Sequence, residues 1–378
     1  MIHVAYPFVG DTMGGAWHST FSLIKQLPSA IEPKIYLQKK GPISEYLDSQ
    51  KEPYSWFPEV KVDCSPTLIN QISLITHNKK IVPAILKNDQ IDIVHTNDFR
   101  NHLSWLIPSK LCGYRTLWHQ RSADASRKTA FYSRFADKII AISHYVHENL
   151  KKTMHRRSEI VFNPVENFEQ NDYHKTFKNE IFLNYGIEPH AKIVLYFGGL
   201  LSQKRPLFFV RLASEIIKRS RSPVYFFMLG QDKENLGVEL YKEIQKFSLQ
   251  EKCFYMGLQP NVASWLKLGD LTIVPAEKEG FGRVIIESML AKTPVIASNH
   301  GGHKEIIRSG KNGFLAELDN LEDFLSLSLS CLNNEFNLET IVNNAYTFST
   351  QKFSVHLHRD KMMSIYFSLV SDKKEKIT

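Results

Sequence analysis

Short apolar runs alternate with helix-patterned stretches along nearly the whole chain. In the first half, residues 2–6, 34–37, 91–95, 115–119 and 138–142 read as strands. Between them, 17–27 and 68–86 repeat apolar residues at helical spacing. Such alternation predicts a parallel sheet covered on both faces. The rhythm breaks over 163–190, where Asn163-Pro164, many polar residues and Pro189 read as a connection between domains. It then restarts. Residues 193–197, 224–229, 252–255, 271–274 and 295–297 read as strands, and 205–218, 235–247 and 282–290 as helices. The expected fold class is α/β, with two doubly wound parallel-sheet units over 1–165 and 166–354. A last helical run, 355–370, leads into a basic tail with Lys373, Lys374 and Lys376.

Bulk properties narrow this picture only a little. The 378 residues are comfortable for two cores, and 43% hydrophobic with 23% charged residues is ordinary for a globular protein. No apolar run is long enough to cross a bilayer. Met1-Ile-His-Val-Ala-Tyr6 reads as a buried strand and lacks the basic start and cleavage site of a signal peptide. Cys64, Cys112, Cys253 and Cys331 are scattered without metal-like spacing, so reduced thiols and a cytoplasmic location are expected. Charge changes the picture more. Residues 1–165 hold 21 Lys+Arg against 14 Asp+Glu, so nearly all of the net +8 lies there. A basic half favours anionic partners, a phosphorylated acceptor or an anionic membrane surface among them, or serves solubility alone. Trp17, Lys39, Lys40, Trp56, Lys79 and Lys80 are candidates for a peripheral membrane patch. No nucleic-acid motif accompanies the charge, so nucleic acid is not expected as a partner.

The candidate chemistry concentrates in Glu279-Gly-Phe-Gly-Arg-Val-Ile-Ile-Glu287. A strand, a glycine turn and a helix start present backbone N–H groups and a positive dipole end to an anion. The N–H groups around Phe281, Gly282, Arg283 and Val284 suit phosphates, and Arg283 adds a cation. Glu279 before the helix and Glu287 within it can accept hydrogen bonds from hydroxyls. A ligand that is part phosphate and part polyol fits this corner. Phe197-Gly-Gly-Leu-Leu-Ser-Gln-Lys-Arg-Pro206 forms a second glycine turn, where Lys204 and Arg205 can neutralise a leaving diphosphate. Taken alone, each of these groups is as readily a solvated surface residue or a helix cap.

The stretch from Met256-Gly-Leu through Leu268-Gly-Asp-Leu-Thr-Ile-Val-Pro275, Glu279–Glu287, Met289-Leu-Ala-Lys-Thr-Pro-Val-Ile-Ala297 and Gly301-Gly-His-Lys-Glu-Ile306 to Asn312-Gly-Phe-Leu315 resembles retaining glycosyltransferases of the GT-B fold, family 4 in particular, with their Glu-x7-Glu motif. The resemblance covers most of the chain and is weaker before residue 190. It implies two facing Rossmann-like domains, with the C-terminal helix 355–378 packing back on the first. It implies a nucleotide diphosphate-sugar in the cleft, held mostly by the second domain, with Glu279 near the sugar and Glu287 on the ribose. Gly14 and Gly15 in Asp11-Thr-Met-Gly-Gly15 resemble the N-terminal glycine loop, and Gly199, Gly230 and Gly257 fall at turns bordering the donor. His119 resembles the histidine that approaches the reacting end of the sugar. Together Glu279, His119, Lys204 and Arg205 are the expected catalytic set. His95, Asn97, Asp98 and Arg121, also at strand ends, are acceptor-side candidates. Ser143 and Asn163 are read as structural.

The activity implied is transfer of a sugar to the hydroxyl of a glycan, lipid-linked or phosphorylated acceptor, with retention of configuration, in bacterial cell-surface polysaccharide or glycolipid synthesis. No cofactor is expected. With no Asp-x-Asp motif and cations at both phosphate corners, no essential metal is expected either. One departure stands out: the family has arginine where this chain has Gly199. Two other readings stay open, a GT-B relative with epimerase or phosphorylase chemistry and a catalytically weak binding or scaffold subunit.

Overall fold

The computed structural model describes residues 1–62, 67–123, 126–168 and 173–374, without the side chains of 173–175 and 372–374. Cys64 and the basic side chains of the tail, Lys373, Lys374 and Lys376, lie outside the described residues. The chain forms two compact units. One is residues 1–164 with the C-terminal helix, the other Val165–Ser354.

In the first unit the strands are β1 (Ile2–Phe8), β2 (Ile31–Leu37), β3 (Ser55–Trp56), β4 (Ile93–Thr96), β5 (Arg115–Gln120), β6 (Lys138–Ala141) and β7 (Ser158–Ile160). Their order in the sheet is β3-β2-β1-β4-β5-β6-β7, with parallel pairing throughout. The order reverses between β1 and β4, and ligands in open α/β sheets bind outside the carboxyl ends of strands at such a point. Helix Val355–Lys374 seats Met362, Ile365, Tyr366 and Leu369 in the same core as Val4, Tyr6 and Ile93. That core explains why the C-terminus returns to this unit.

The second unit has β8 (Lys192–Phe197), β9 (Val224–Leu229), β10 (Cys253–Gly257), β11 (Leu271–Val274), β12 (Val295–Ser298) and β13 (Phe314–Ala316). They run parallel in the order β10-β9-β8-β11-β12-β13, so the reversal falls between β8 and β11. Phe209, Val210 and Ala213 on helix Pro206–Arg219 pack with Phe226 and Ile273 of the sheet. The opposite face is covered by Trp265, Leu266 and Ile181.

Three expectations change. The segment 163–190 contains helix Tyr173–Asn184, whose Ile181 is buried against β8 and β9. It therefore belongs to the second core. The short strands β3, β7 and β13 were not foreseen. Trp17 does not lie on a surface patch: it is 2% exposed, stacked on Phe21 at 5.0 Å and edge-on to Phe8. Its spacing to Phe21 and Ile24 on helix Gly15–Lys25 is that of a core face.

Candidate active site

Lys204 and Glu279 meet in an ion pair at the β8–β11 reversal of the second unit. Each is carried by the loop after one of the two central strands. Glu277 N donates to Gln203 O at 2.8 Å, which ties these loops together. Gly302 N donates to Glu279 O at 2.9 Å, which adds the loop after β12. Burial alone would push the Glu279 carboxyl up. Lys204 beside it, with His303 further off, more than offsets this and holds it below the usual carboxylate range. Glu279 is therefore an anion and Lys204 its counter-cation.

The glycine corner follows. Gly282 has φ +96° and caps helix Arg283–Leu290, which directs the first-turn N–H groups of Arg283 and Val284 along the corner. Phe281 is 3% exposed and packs edge-on to Phe353 at 5.5 Å, so its ring anchors the turn while only its backbone can serve a ligand. Arg283 Nη2 donates to Glu287 Oε1 at 2.9 Å, one helical turn on. The second carboxylate of the motif thus carries its own cation.

The other turns complete the frame. Gly230 has φ +145°, and a Cβ there would lie 2.0 Å from Gly198 O; only glycine fits. Gly230 N donates to Gly257 O at 2.8 Å, and Gly198 N to Leu229 O at 2.9 Å, so these glycines form one layer at the strand ends. Arg205 takes a different direction from Lys204. Its guanidinium pairs with Asp319 and lies 4.4 Å from the ring centre of Phe208, so Lys204 alone of the two basic residues meets Glu279. A Cβ on Gly199 would lie 3.7 Å from Cδ of Lys233. The nearest neighbour of that Cβ would be the Gln231 carbonyl oxygen at 3.1 Å, so the backbone after β9 is what limits a side chain at 199.

Sequence reasoning missed His303. His303 is fully buried beneath the corner, where a Cβ on Gly282 would lie 3.0 Å from its ring. Its Nδ1 donates to Ser298 O at 3.2 Å, and burial pushes its pKa down to about 4 against the pull of Glu279. It is neutral, with a bare Nε2. The signal was its place directly after Gly301-Gly302 at a strand end.

In the first unit, the loops after β1 and β4 are joined by a bidentate pair: Arg100 donates to the Asp11 oxygens at 2.7 and 2.9 Å. Partial burial raises the Asp11 pKa, but Arg100 and Lys39 bring it below the usual value. Gly14 caps and Gly15 opens the helix after β1; a Cβ on Gly14 would meet nothing within 4 Å, so packing does not demand glycine there. Asp98 accepts from Asn101 N at 3.0 Å and is a helix cap. Asn97 is 2% exposed and its Oδ1 accepts from Arg121 at 2.7 Å and Thr20 at 2.9 Å. His95 and His119 are both buried, with stacked rings 5.3 Å apart. His119 Nδ1 lies 3.1 Å from His95 Nε2 and 3.3 Å from Arg121 Nη2, while its Nε2 has no hydrogen-bond partner among the described residues. Ser143 caps a helix through Val146 N, and Asn163 accepts from Arg121 at 2.6 Å. His119, His95, Asn97 and Arg121 thus form one cluster, and Asp98 stands apart from it as a cap.

A glycine corner at a helix start thus stands at a sheet reversal, flanked by two carboxylates that each hold a cation. Comparison with known proteins agrees in class. Residues 177–348 match Glycosyl transferases group 1, and residues 13–167 match Glycosyltransferase Family 4. The two glycosyltransferase matches follow one another along the chain, and its fold is GT-B. A UDP-Gal:alpha-D-GlcNAc-diphosphoundecaprenol alpha-1,3-galactosyltransferase of Escherichia coli is 22% identical over 98% of each chain. The N-acetyl-alpha-D-glucosaminyl L-malate synthase of Bacillus anthracis is 23% identical over 63% of this chain and 61% of that one. The crystal structure of Anabaena Alr3699/HepE in complex with UDP and glucose superposes with a TM-score of 0.81 at 18% identity, covering 97% of this chain and all of that one.

Proposed function

We propose that the protein is a retaining glycosyltransferase that moves a sugar from a nucleotide diphosphate-sugar to an acceptor hydroxyl. The Lys204–Glu279 pair at the β8–β11 reversal, beside the Gly282 corner, carries this reading. The helix start and Lys204 hold the diphosphate, Glu287 accepts from the ribose diol, and Glu279 faces the sugar. As the bond from the anomeric carbon to the phosphate oxygen breaks, negative charge grows on that oxygen, where a fixed ammonium and oriented N–H groups lower its energy most. The acceptor oxygen bonds to the same face of the carbon, and its proton passes to the leaving phosphate oxygen. This route needs no covalent intermediate on Glu279, whose carboxylate is already committed to Lys204. Arg205, held by Asp319, contributes by fixing the loop that carries Lys204.

A thermal-shift screen of UDP-, GDP- and ADP-sugars tests the reading. One donor class is expected to raise the melting temperature, as any ligand bound only to the folded state does. No shift with any of them, or donor hydrolysis that no glycan acceptor diverts, would count against transfer.

For the acceptor we propose a glycan, lipid-linked or phosphorylated molecule of cell-surface polysaccharide or glycolipid synthesis, reached by peripheral attachment to the inner face of the membrane. The E. coli relative, named for a diphosphoundecaprenol substrate, supports a lipid-linked acceptor. No helix among the described residues is long and apolar enough to cross a membrane. Helix Leu68–Asn88 exposes Leu68, Ile69 and Ile72 together with Lys79 and Lys80, an apolar and basic surface suited to an anionic bilayer. Elsewhere in this unit Arg127, Arg134, Lys151 and Lys152 line a depression around Phe131. The protein should co-sediment with anionic vesicles at low salt, and the triple variant Ile69→Ser, Lys79→Glu, Lys80→Glu should bind several-fold less. Wild-type protein left in the supernatant would end the proposal.

A further inference from the structure

The charge surplus of the first half is concentrated in one short stretch. Residues 121–157 hold 9 Lys+Arg against 3 Asp+Glu, while the rest of 1–165 holds 12 against 11. Several of these cations are already engaged. Lys138 pairs with Glu159, Arg157 donates to Ala136 O at 2.6 Å, and Arg121 donates to Asn97 and Asn163. Asp137, an acid of the same stretch, is occupied by Lys110 and Arg115 from outside it. Arg127, Arg134, Lys151 and Lys152 make no ion pair among the described residues.

These four cations line one depression of about 520 Å³, together with Phe131 and Thr153. Arg127, Phe131 and Arg134 stand at i, i+4 and i+7 along helix Arg127–Tyr132 and the single turn Ser133–Phe135 that continues it, so they share a face. Lys151 and Lys152 come from a second segment, at the start of helix Lys152–His155. Phe131 is 49% exposed, and the Arg134 guanidinium lies 5.6 Å from its ring centre, so the ring braces that cation. No carboxylate lines the depression. Gathering four like charges there costs energy in the folded state, and a polyanion in the hollow offsets that cost. Guanidinium forks and lysine ammonium groups are the usual donors to phosphate oxygens. The volume is that of a small-molecule site, and a hollow surrounds a compact anion that a flat surface would touch only at its rim.

We propose that this depression binds a phosphate-bearing ligand with at least two negative charges, a diphosphate or a phosphomonoester, with its oxygens on Arg127, Arg134, Lys151 and Lys152 and any non-polar part against Phe131. Such a phosphate arrives free in solution or as the headgroup of a lipid, and the chemistry of recognition is the same. The depression belongs to the first unit and shares no residue with the donor corner of the second, so it does not depend on the transferase reading.

Calorimetric titration of inorganic pyrophosphate, at low salt and without divalent cations, tests the free form. Lys151→Glu/Lys152→Glu is compared with Lys87→Glu/Lys242→Glu, which changes the net charge equally at exposed lysines outside the depression. The first pair should weaken binding at one site at least about tenfold, as for loss of a charge-assisted hydrogen bond, and the second should leave it unchanged. Lys204→Ala separates the donor corner: it should spare this site, and a protein in which only Lys204→Ala weakens pyrophosphate would keep the donor reading. Co-sedimentation tests the lipid form. Vesicles with phosphatidic acid should retain more protein than phosphatidylglycerol vesicles of equal surface charge, and Lys151→Glu/Lys152→Glu should abolish the difference. A loss confined to the depression variant in either assay upholds the site and names its source. Equal behaviour of the two double variants in both assays overturns the proposal.

Discussion

Acidification from pH 7 to 4.5 is expected to unfold the first unit well before the second. His95, His102, His119 and His358 are buried there, and burial holds each well below its ordinary pKa of 6.5, His358 at about 3. Among the described residues the second unit has one counterpart, His303 at about 4. A histidine whose folded pKa is depressed contributes stability above pH 6.5. That contribution is lost as pH falls from 6.5 toward the folded value, because the unfolded chain takes up protons the native one refuses. Each such proton costs about 1.4 kcal/mol per pH unit, so the slope in the first unit is up to about four times that of a single buried histidine. Depressed carboxylates such as Asp11 and Glu279 act only at lower pH. Calorimetry between pH 7.5 and 4.5 should resolve a transition that moves steeply down in temperature ahead of the other. A single transition that holds its temperature to pH 5 would show that these imidazoles are not buried neutral.

Lys204→Ala should lower kcat by about 10²–10³-fold, the range seen when one group that stabilises developing charge is removed. Glu279 would also lose the cation that keeps it ionised, and its pKa should rise because only the smaller influence of His303 then opposes burial. Arg205→Ala should cost much less in kcat, because that guanidinium is engaged by Asp319 and Phe208. Steady-state kinetics of both variants with the selected donor separate the two roles. Equal losses would mean that Arg205 leaves Asp319 to reach the phosphates.

The contrast between these two neighbours shows what was legible in the sequence. Strands β9 and β11 were read to the residue because parallel strands buried on both faces are continuous apolar runs. Strands β3, β7 and β13 have two or three residues at or near sheet edges, too few for any pattern. Helix Tyr173–Asn184 was hidden by its polar composition. Lys204 and Glu279, 75 positions apart, could be linked beforehand because each stood at a strand end and their segments matched a family. The directions of Arg205 and Arg283 could not, since a long side chain chooses its carboxylate only once the fold exists. The bond from His95 to Tyr366 spans 271 positions and depends on the C-terminal helix entering the first core. Nothing local signals it.

The central claim is that the Glu279–Glu287 corner of the second unit holds a nucleotide diphosphate-sugar. Calorimetric titration of the donor selected by thermal shift, into wild-type protein and Glu287→Ala, tests it most directly. One site per chain is expected in the wild type and at least about tenfold weaker binding in the variant, the cost of losing hydrogen bonds to a charged acceptor. Undiminished donor affinity in a folded Glu287→Ala protein would contradict it.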